Sequence, residues 1–261
     1  DTYRRVRNTL KFLLANISDF DYSKDAVAPE NMLEIDRYAL SRVAQLQKDI
    51  LAHYQIYEFH PAVHKLQVYC SEDLGAFYLD ILKDRLYTTK ANSLERRSAQ
   101  TALWTITHAM LRWMAPFLSF TAEEAWGIVG TSESIFMDAY VDLTAPDETL
   151  LTKWARIRSV REAVNKEIET LRAAGQIGAS LQAEVTVTLP PEDYAALSDC
   201  GMDAKFVFIV SAIQLVAGDA LAISVTATNG TKCERCWHYT HDIGSNEKHP
   251  TLCGRCASNL E

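Results

Sequence analysis

The sequence predicts a mostly α-helical protein: an up-and-down antiparallel helix bundle followed by a small α+β module and a four-cysteine zinc finger at the C-terminus. Three observations carry this prediction. Apolar residues recur at helical spacing, stripe after stripe, from Val6 to Trp126. The spacing then changes to strict alternation at Ala183–Leu189. Two C-x-x-C pairs, Cys233/Cys236 and Cys253/Cys256, stand sixteen residues apart near the end of the chain.

Behind Asp1 or Thr2 as N-cap, Val6, Leu10, Leu13, Leu14 and Ile17 form one apolar face, so residues 3–16 read as an amphipathic helix. After a polar connection ending in Pro29-Glu30, a long second helix takes in Leu33, Ile35, Leu40, Val43, Leu46, Ile50, Tyr54 and Tyr57 and stops near Phe59-His60-Pro61. From Ala62 to Tyr87 the spacing is helical again. A bend is expected at Cys70–Gly75, where Gly75 and short polar side chains weaken the hydrogen-bond ladder. Ser93 stands where it can cap the next helix, whose inward face holds Ala99, Ala102, Leu103, Ile106, Met110, Leu111, Trp113 and Met114 until Pro116 interrupts it. Thr121 and Glu124 have capping-box spacing and would restart a helix that ends near Gly127–Gly130. Long antiparallel helices with short connections bury such stripes against one another without a sheet.

Residues 131–148 lose the period and carry Thr, Ser, Pro146 and Asp147, the composition of a linker. A charged amphipathic helix from Leu150 to Ala174 follows and ends at Gly175, a natural C′ residue. Ala183–Leu189 is a strand, stopped by Pro190-Pro191. Glu192–Ser198 suits a short helix, and Phe206–Val216 and Ala220–Thr226 are two further strand candidates. The expected domains are therefore 1–148, 149–230 and 231–261.

A formal net charge of -8 repels polyanions at long range, so any nucleic-acid contact must be local. Three basic stretches offer one: Arg4, Arg5, Arg7 and Lys11; Lys83, Arg85, Lys90, Arg96 and Arg97; and Lys153, Arg156, Arg158, Arg161, Lys166 and Arg172. Each also has a plain reading as a solvated helix face. No apolar run approaches the length of a membrane span. The chain begins at Asp1 with no basic-then-apolar leader and reads as a piece of a longer protein. Apart from the paired cysteines, Cys70 and Cys200 are isolated, which is how a reducing compartment uses them, and the cytoplasm is the expected location.

Each C-x-x-C folds a knuckle whose sulfurs converge, and two knuckles supply the four thiolates of a tetrahedral structural zinc site. A single pair would also suit redox chemistry, but neither pair sits in a βαβ pattern. Cys233, Cys236, Cys253 and Cys256 are the predicted ligands of one Zn2+, with His238, His241 and His249 in the intervening loop as alternatives. Trp237 is either a lid on the metal core or an exposed platform for an unstacked base. Lys232, Arg235 and Arg255 flank the cysteines, where they either reach phosphates or balance the doubly negative tetrathiolate. The deaminase H-x-E, Walker A, G-x-S-x-G and H-E-x-x-H patterns are all missing. Adjacent acids such as Glu123-Glu124 and Glu192-Asp193 diverge, and no catalytic residue is assigned.

The runs Tyr3-Arg-Arg-Val-Arg-Asn-Thr-Leu10 to Phe20, Phe77-Tyr-Leu-Asp-Ile-Leu-Lys-Asp-Arg-Leu-Tyr87 and Ala115-Pro-Phe-Leu-Ser-Phe-Thr-Ala-Glu-Glu-Ala-Trp126 resemble the anticodon-binding helical domain of class I aminoacyl-tRNA synthetases. Asn165-Lys166 through Ile177-Gly-Ala-Ser-Leu181, and Cys233-Glu-Arg-Cys-Trp237, resemble the bacterial isoleucine-specific members in particular. The resemblance covers essentially the whole chain, in the family's order. It implies the C-terminal part of a longer enzyme that charges isoleucine tRNA, with the helical domain and zinc module gripping the anticodon arm. The family's His-Ile-Gly-His and Lys-Met-Ser-Lys-Ser signatures do not occur, so ATP would be used only in a catalytic domain outside this chain, and the chain alone is expected not to aminoacylate. By motif position the four cysteines match the family's zinc ligands, and Trp237 and Arg235 its knuckle residues. The implied partner is isoleucine tRNA, with no DNA and no membrane, and the expected state is a monomer.

Two other readings start from the same cysteines. A formamidopyrimidine-DNA glycosylase has a similar C-terminal finger, but needs an N-terminal Pro-Glu nucleophile and a β-rich domain where this chain has Asp1-Thr-Tyr and helices. A zinc-stapled protein-interaction module would fit the acidic balance.

Overall fold

A computed structural model describes residues 1–260. Two compact units cluster in space, one of residues 1–83 and 92–151, the other of residues 84–91 and 152–260.

The first unit is helical. Helix α1 (Thr2–Asn16) is followed by the single turn α2 (Tyr22–Asp25), then the long α3 (Glu34–Gln55) and α4 (Phe59–Val68). Without a break the chain runs through a π-helical segment, Tyr69–Tyr78, into α5 (Leu79–Thr88), whose residues from Asp84 on belong to the second unit. The bend expected at Cys70–Gly75 is thus a widened ladder rather than an interruption, which keeps Leu74, Phe77 and Tyr78 buried. Helices α6 (Leu94–Met114) and α7 (Ser119–Val129) complete the bundle. Ser93 caps α6 as expected, its hydroxyl accepting the Arg96 amide at 3.2 Å.

Helix α6 is the centre of the unit: α1, α3 and α7 all pack on it, and its Ala99, Ala102, Leu103, Ile106, Met110 and Trp113 are fully buried. One buried carboxylate ties three elements together. Asp36 of α3 accepts from Tyr78 Oη at 2.7 Å and from Ser98 Oγ of α6 at 2.5 Å. The linker 131–148 is held down rather than loose. Gln47 Nε2 donates to the Val141 carbonyl at 2.7 Å, and Arg112 Nε to that of Ala139 at 2.6 Å.

The capping box expected at Thr121–Glu124 does not form. Helix α7 begins two residues earlier, at Ser119, because the chain re-enters helical geometry directly after Pro116 and Phe117. Thr121 Oγ1 instead meets Tyr3 Oη at 3.3 Å, and Glu124 takes two hydrogen bonds from Arg7 of α1, at 2.9 and 3.2 Å.

In the second unit α8 (Glu148–Ala173), whose first turn belongs to the first, buries Trp154, Ile157, Val160, Val164 and Ile168 along one stripe. The Asp147 carboxylate accepts the Leu150 amide at its start. At its end Gly175 takes φ +70, and the amides of Gly175 and Gln176 bond the carbonyls of Arg172 and Leu171, the double closure that glycine permits.

Strand β1 (Ala183–Leu189) is central in a three-stranded sheet, parallel to β2 (Ala212–Ala217) and antiparallel to β3 (Ala222–Ala227). Its alternate residues Ala183, Val185, Val187 and Leu189 are buried. Helices α9 (Pro191–Ser198) and α10 (Ala204–Phe208) lie on this sheet. Helix α10 corrects the strand expected over Phe206–Val216. The Asp203 carboxylate caps a helical turn by accepting the Lys205 amide at 3.0 Å, and only after Ile209, left-handed at φ 55, does the chain extend.

Candidate metal centre and nucleic-acid interface

The first knuckle sits between two short antiparallel strands, β4 (Thr231–Lys232) and β5 (Tyr239–Thr240). The Cys233 amide donates to the His238 carbonyl at 2.8 Å and the Trp237 amide to the Cys233 carbonyl at 2.9 Å, closing a tight turn with Trp237 at φ +67. The second knuckle opens the short helix α11 (Gly254–Ser258), which Cys253 precedes. Asp242 Oδ2 accepts the Gly254 amide at 2.8 Å and pins the intervening loop to it.

The four cysteine side chains converge, their sulfurs all within 4.8 Å of one another. All are buried, with Ile243 and Leu252 packed against them. A tetrahedral centre with metal–sulfur bonds of about 2.3 Å has sulfur–sulfur edges of about 3.8 Å. Cys236 Sγ and Cys253 Sγ are 3.8 Å apart, and Cys233 Sγ accepts the Cys253 amide at 3.4 Å. The donor set therefore suits a tetrathiolate metal ion, closed to substrate. Within the cluster the Cys256 thiol donates to Cys236, which holds the Cys236 thiol well below the usual thiol range and Cys256 correspondingly above it.

The four residues expected to face nucleic acid separate into two pairs. Trp237 is 60% exposed, and Lys232 Nζ lies 5.1 Å above its ring, a cation and an aromatic face on one surface. Arg235 and Arg255 turn inward. Arg235 Nη1 donates to the Cys256 carbonyl at 3.0 Å. Arg255 grips Asp84 with two hydrogen bonds of 2.6 and 2.7 Å, touches Thr88 Oγ1 at 3.3 Å, and lies over the Phe206 ring at 4.8 Å. Burial works against the Arg255 charge, but Asp84 outweighs it and holds the guanidinium firmly protonated.

His238 is buried beside this pair. Its Nδ1 is 3.8 Å from Asp84, its ring meets Phe206 edge to face, and together with Asp84 and Cys236 it forms a second grouping of ligand-type atoms. Cys233, Cys253 and Cys256 lie outside that grouping, and Arg255 occupies its carboxylate. His241 and His249 belong to neither group among the described residues. Asp84, Thr88 and Phe206 are the participants that reading the sequence missed. Asp84 is 171 positions from Arg255, and no local motif marks it.

Fold and site together define a helical-bundle protein carrying a cysteine-knuckle finger. A family model described as the anticodon-binding domain of tRNA ligase matches residues 36–187, and the chain belongs to that family. A second, described as the zinc finger found in FPG and IleRS, matches residues 230–259. Relatives named isoleucine–tRNA ligase align with practically the whole chain. That of Ralstonia pickettii is 55% identical over 99% of it, that of Paraburkholderia xenovorans 57% over 99%, and that of Cupriavidus pinatubonensis 54% over 100%. The chain spans 28% of the length of each of these relatives.

Proposed function

We propose that this chain is the part of an isoleucine–tRNA ligase that binds the anticodon arm of isoleucine tRNA, while ATP-dependent charging belongs to portions of the ligase outside it. The observation that carries the reading is the surface of the finger. An exposed tryptophan is held in left-handed backbone geometry beneath a lysine, on a rigid knot, in a chain of the anticodon-binding family. An exposed indole offers a face on which an unpaired base stacks, worth about 1–3 kcal/mol, and the neighbouring cation meets the phosphate. Local propensity does not hold a bulky residue at φ +67, which costs roughly 1–2 kcal/mol, so the knuckle must impose it.

Cys233, Cys236, Cys253 and Cys256 would hold one Zn2+. The ion supplies folding free energy, on the order of 10 kcal/mol, to a segment too small to build a core of its own. Arg235 and Arg255 brace the knot, Lys232 and Trp237 present it, and the chain acts as a cytoplasmic monomer in three parts, 1–148, 149–230 and 231–261. The finger type is shared with a DNA glycosylase class, but the long helical bundle and the ligase relatives favour the RNA reading.

Trp237→Ala tests the reading. Affinity for isoleucine tRNA should fall roughly five- to hundredfold with zinc content unchanged at one ion per chain by elemental analysis. Equal affinity of variant and parent would remove the stacking role, and a zinc-free folded parent would remove the metal.

A further inference from the structure

Of the basic stretch on α1, Arg7 is committed to Glu124. Arg4 and Arg5 are different: both are exposed, and neither guanidinium has an ion-pair or hydrogen-bond partner among the described residues. Both line an open groove of about 650 Å³ between α1 and the π-helical segment. Lys83 stands on the opposite wall, shared with Asp80 at 2.8 Å, and Asp1 is the one acid in the lining. In a molecule of net charge -8 this is a local concentration of positive charge.

The floor is built to stay low. Gly75 lies in the π-helical run, where a Cβ would come within 3.0 Å of the Cys70 carbonyl, so no side chain rises there. Cys70 itself is buried, its thiol pushed up to about 12 by burial even though Thr9 and the charge of Arg5 pull it down, so it adds no negative charge. Consecutive residues on a helix diverge by roughly 100°. Arg4 and Arg5 are therefore placed to meet different phosphates of an extended polyanion, with the exposed amide of Asn8 one turn along beside them.

We propose that this groove binds the phosphodiester backbone of RNA, Arg4 and Arg5 each contacting a phosphate. The proposal rests on the tRNA-binding reading and extends it to residues outside the span of the anticodon-binding family model, 36–187. The test compares the 261-residue chain with R4Q/R5Q and R4K/R5K for binding of isoleucine tRNA and of an unrelated RNA hairpin across a salt titration. Losing two phosphate contacts should weaken both RNAs alike, roughly tenfold or more at low salt, and flatten the dependence of log K on log salt by about 1.4–1.8. R4K/R5K should keep the parent slope. Both positions are exposed, so the melting temperature of R4Q/R5Q should match the parent. Unchanged affinity and slope in R4Q/R5Q would overturn the groove alone. A parent chain that binds neither RNA would overturn the groove and the tRNA reading together.

Discussion

Replacing Asp84 by alanine removes the partner that holds Arg255 at the base of the finger. Two charge-assisted hydrogen bonds, of 2.6 and 2.7 Å, disappear, and the guanidinium stays over Phe206 with only the Cys236 sulfur left to offset its charge. A wholly buried orphaned charge costs about 3–5 kcal/mol, whereas an exposed pair is worth about 0.2–1 kcal/mol. The Asp84 side chain is 15% exposed and that of Arg255 32%, so the case lies nearer the buried limit, at about 2–3 kcal/mol. Hydrogen exchange of the amides in Cys253–Ser258 reads this locally, and exchange there should quicken roughly 30- to 150-fold. The double variant D84L/R255M removes both charges and should recover most of the protection, because an apolar pair of similar volume leaves no group unsatisfied. Exchange in D84A within threefold of the parent, or D84L/R255M as fast as D84A, would refute the account of this brace.

His108 carries a pH prediction. It is buried, stacks on Trp104 at 3.8 Å and meets Trp126 edge to face, and Arg112 Nη1 lies 3.2 Å from its Nδ1. Burial first, and then the charge of Arg112, lower it from 6.5 to about 4, so the folded state prefers the neutral ring. The unfolded chain then binds the extra proton between those values. Stability should be unaffected above pH 6.5 and fall by about 2–3 kcal/mol as pH drops to 4. Urea unfolding of the parent and of His108→Gln across this range should show that loss in the parent only. Gly130→Ala should also destabilise, since a Cβ there would come within 2.4 Å of the buried Trp126 indole. The indole would have to shift, straining its hydrogen bond to the Ser132 carbonyl. A cost of about 1–3 kcal/mol, read as a melting temperature lower by roughly 3–10 °C, is expected. An unchanged melting temperature would mean that Trp126 has room the packing does not show.

Much of this architecture is legible in residue order because its signals are local. The stripes of α1 and α6 and the alternation of Ala183–Leu189 depend on period, and the structure follows them to within a residue or two, whereas α3 ends at Gln55, four residues short of the expected stop at Phe59, because Tyr57 turns left-handed at φ 59. The cysteine cluster is visible for the same reason, since each knuckle is a four-residue motif. Phe206–Val216 misleads because its β-branched and aromatic residues favour a strand, while the Asp203 cap and the left-handed Ile209 impose a helical turn on the first part. Thr121 and Glu124 mislead because both are used by α1 instead. The brace of Asp84, Arg255, Phe206 and His238 leaves no trace in the sequence, because it joins residues from three distant segments by tertiary packing alone. Residue order leaves Trp237 open between lid and platform, and its exposure beside Lys232 decides for an outward-facing ring.

The central claim, that this chain recognises the anticodon arm of isoleucine tRNA, is tested most directly by a salt-titrated binding measurement with isoleucine tRNA beside a tRNA of another specificity. Both affinities should fall as salt rises, through loss of phosphate contacts, while the preference for isoleucine tRNA persists because base contacts carry it. Equal affinity for the two tRNAs at every salt concentration, or binding that does not weaken with salt, would contradict it.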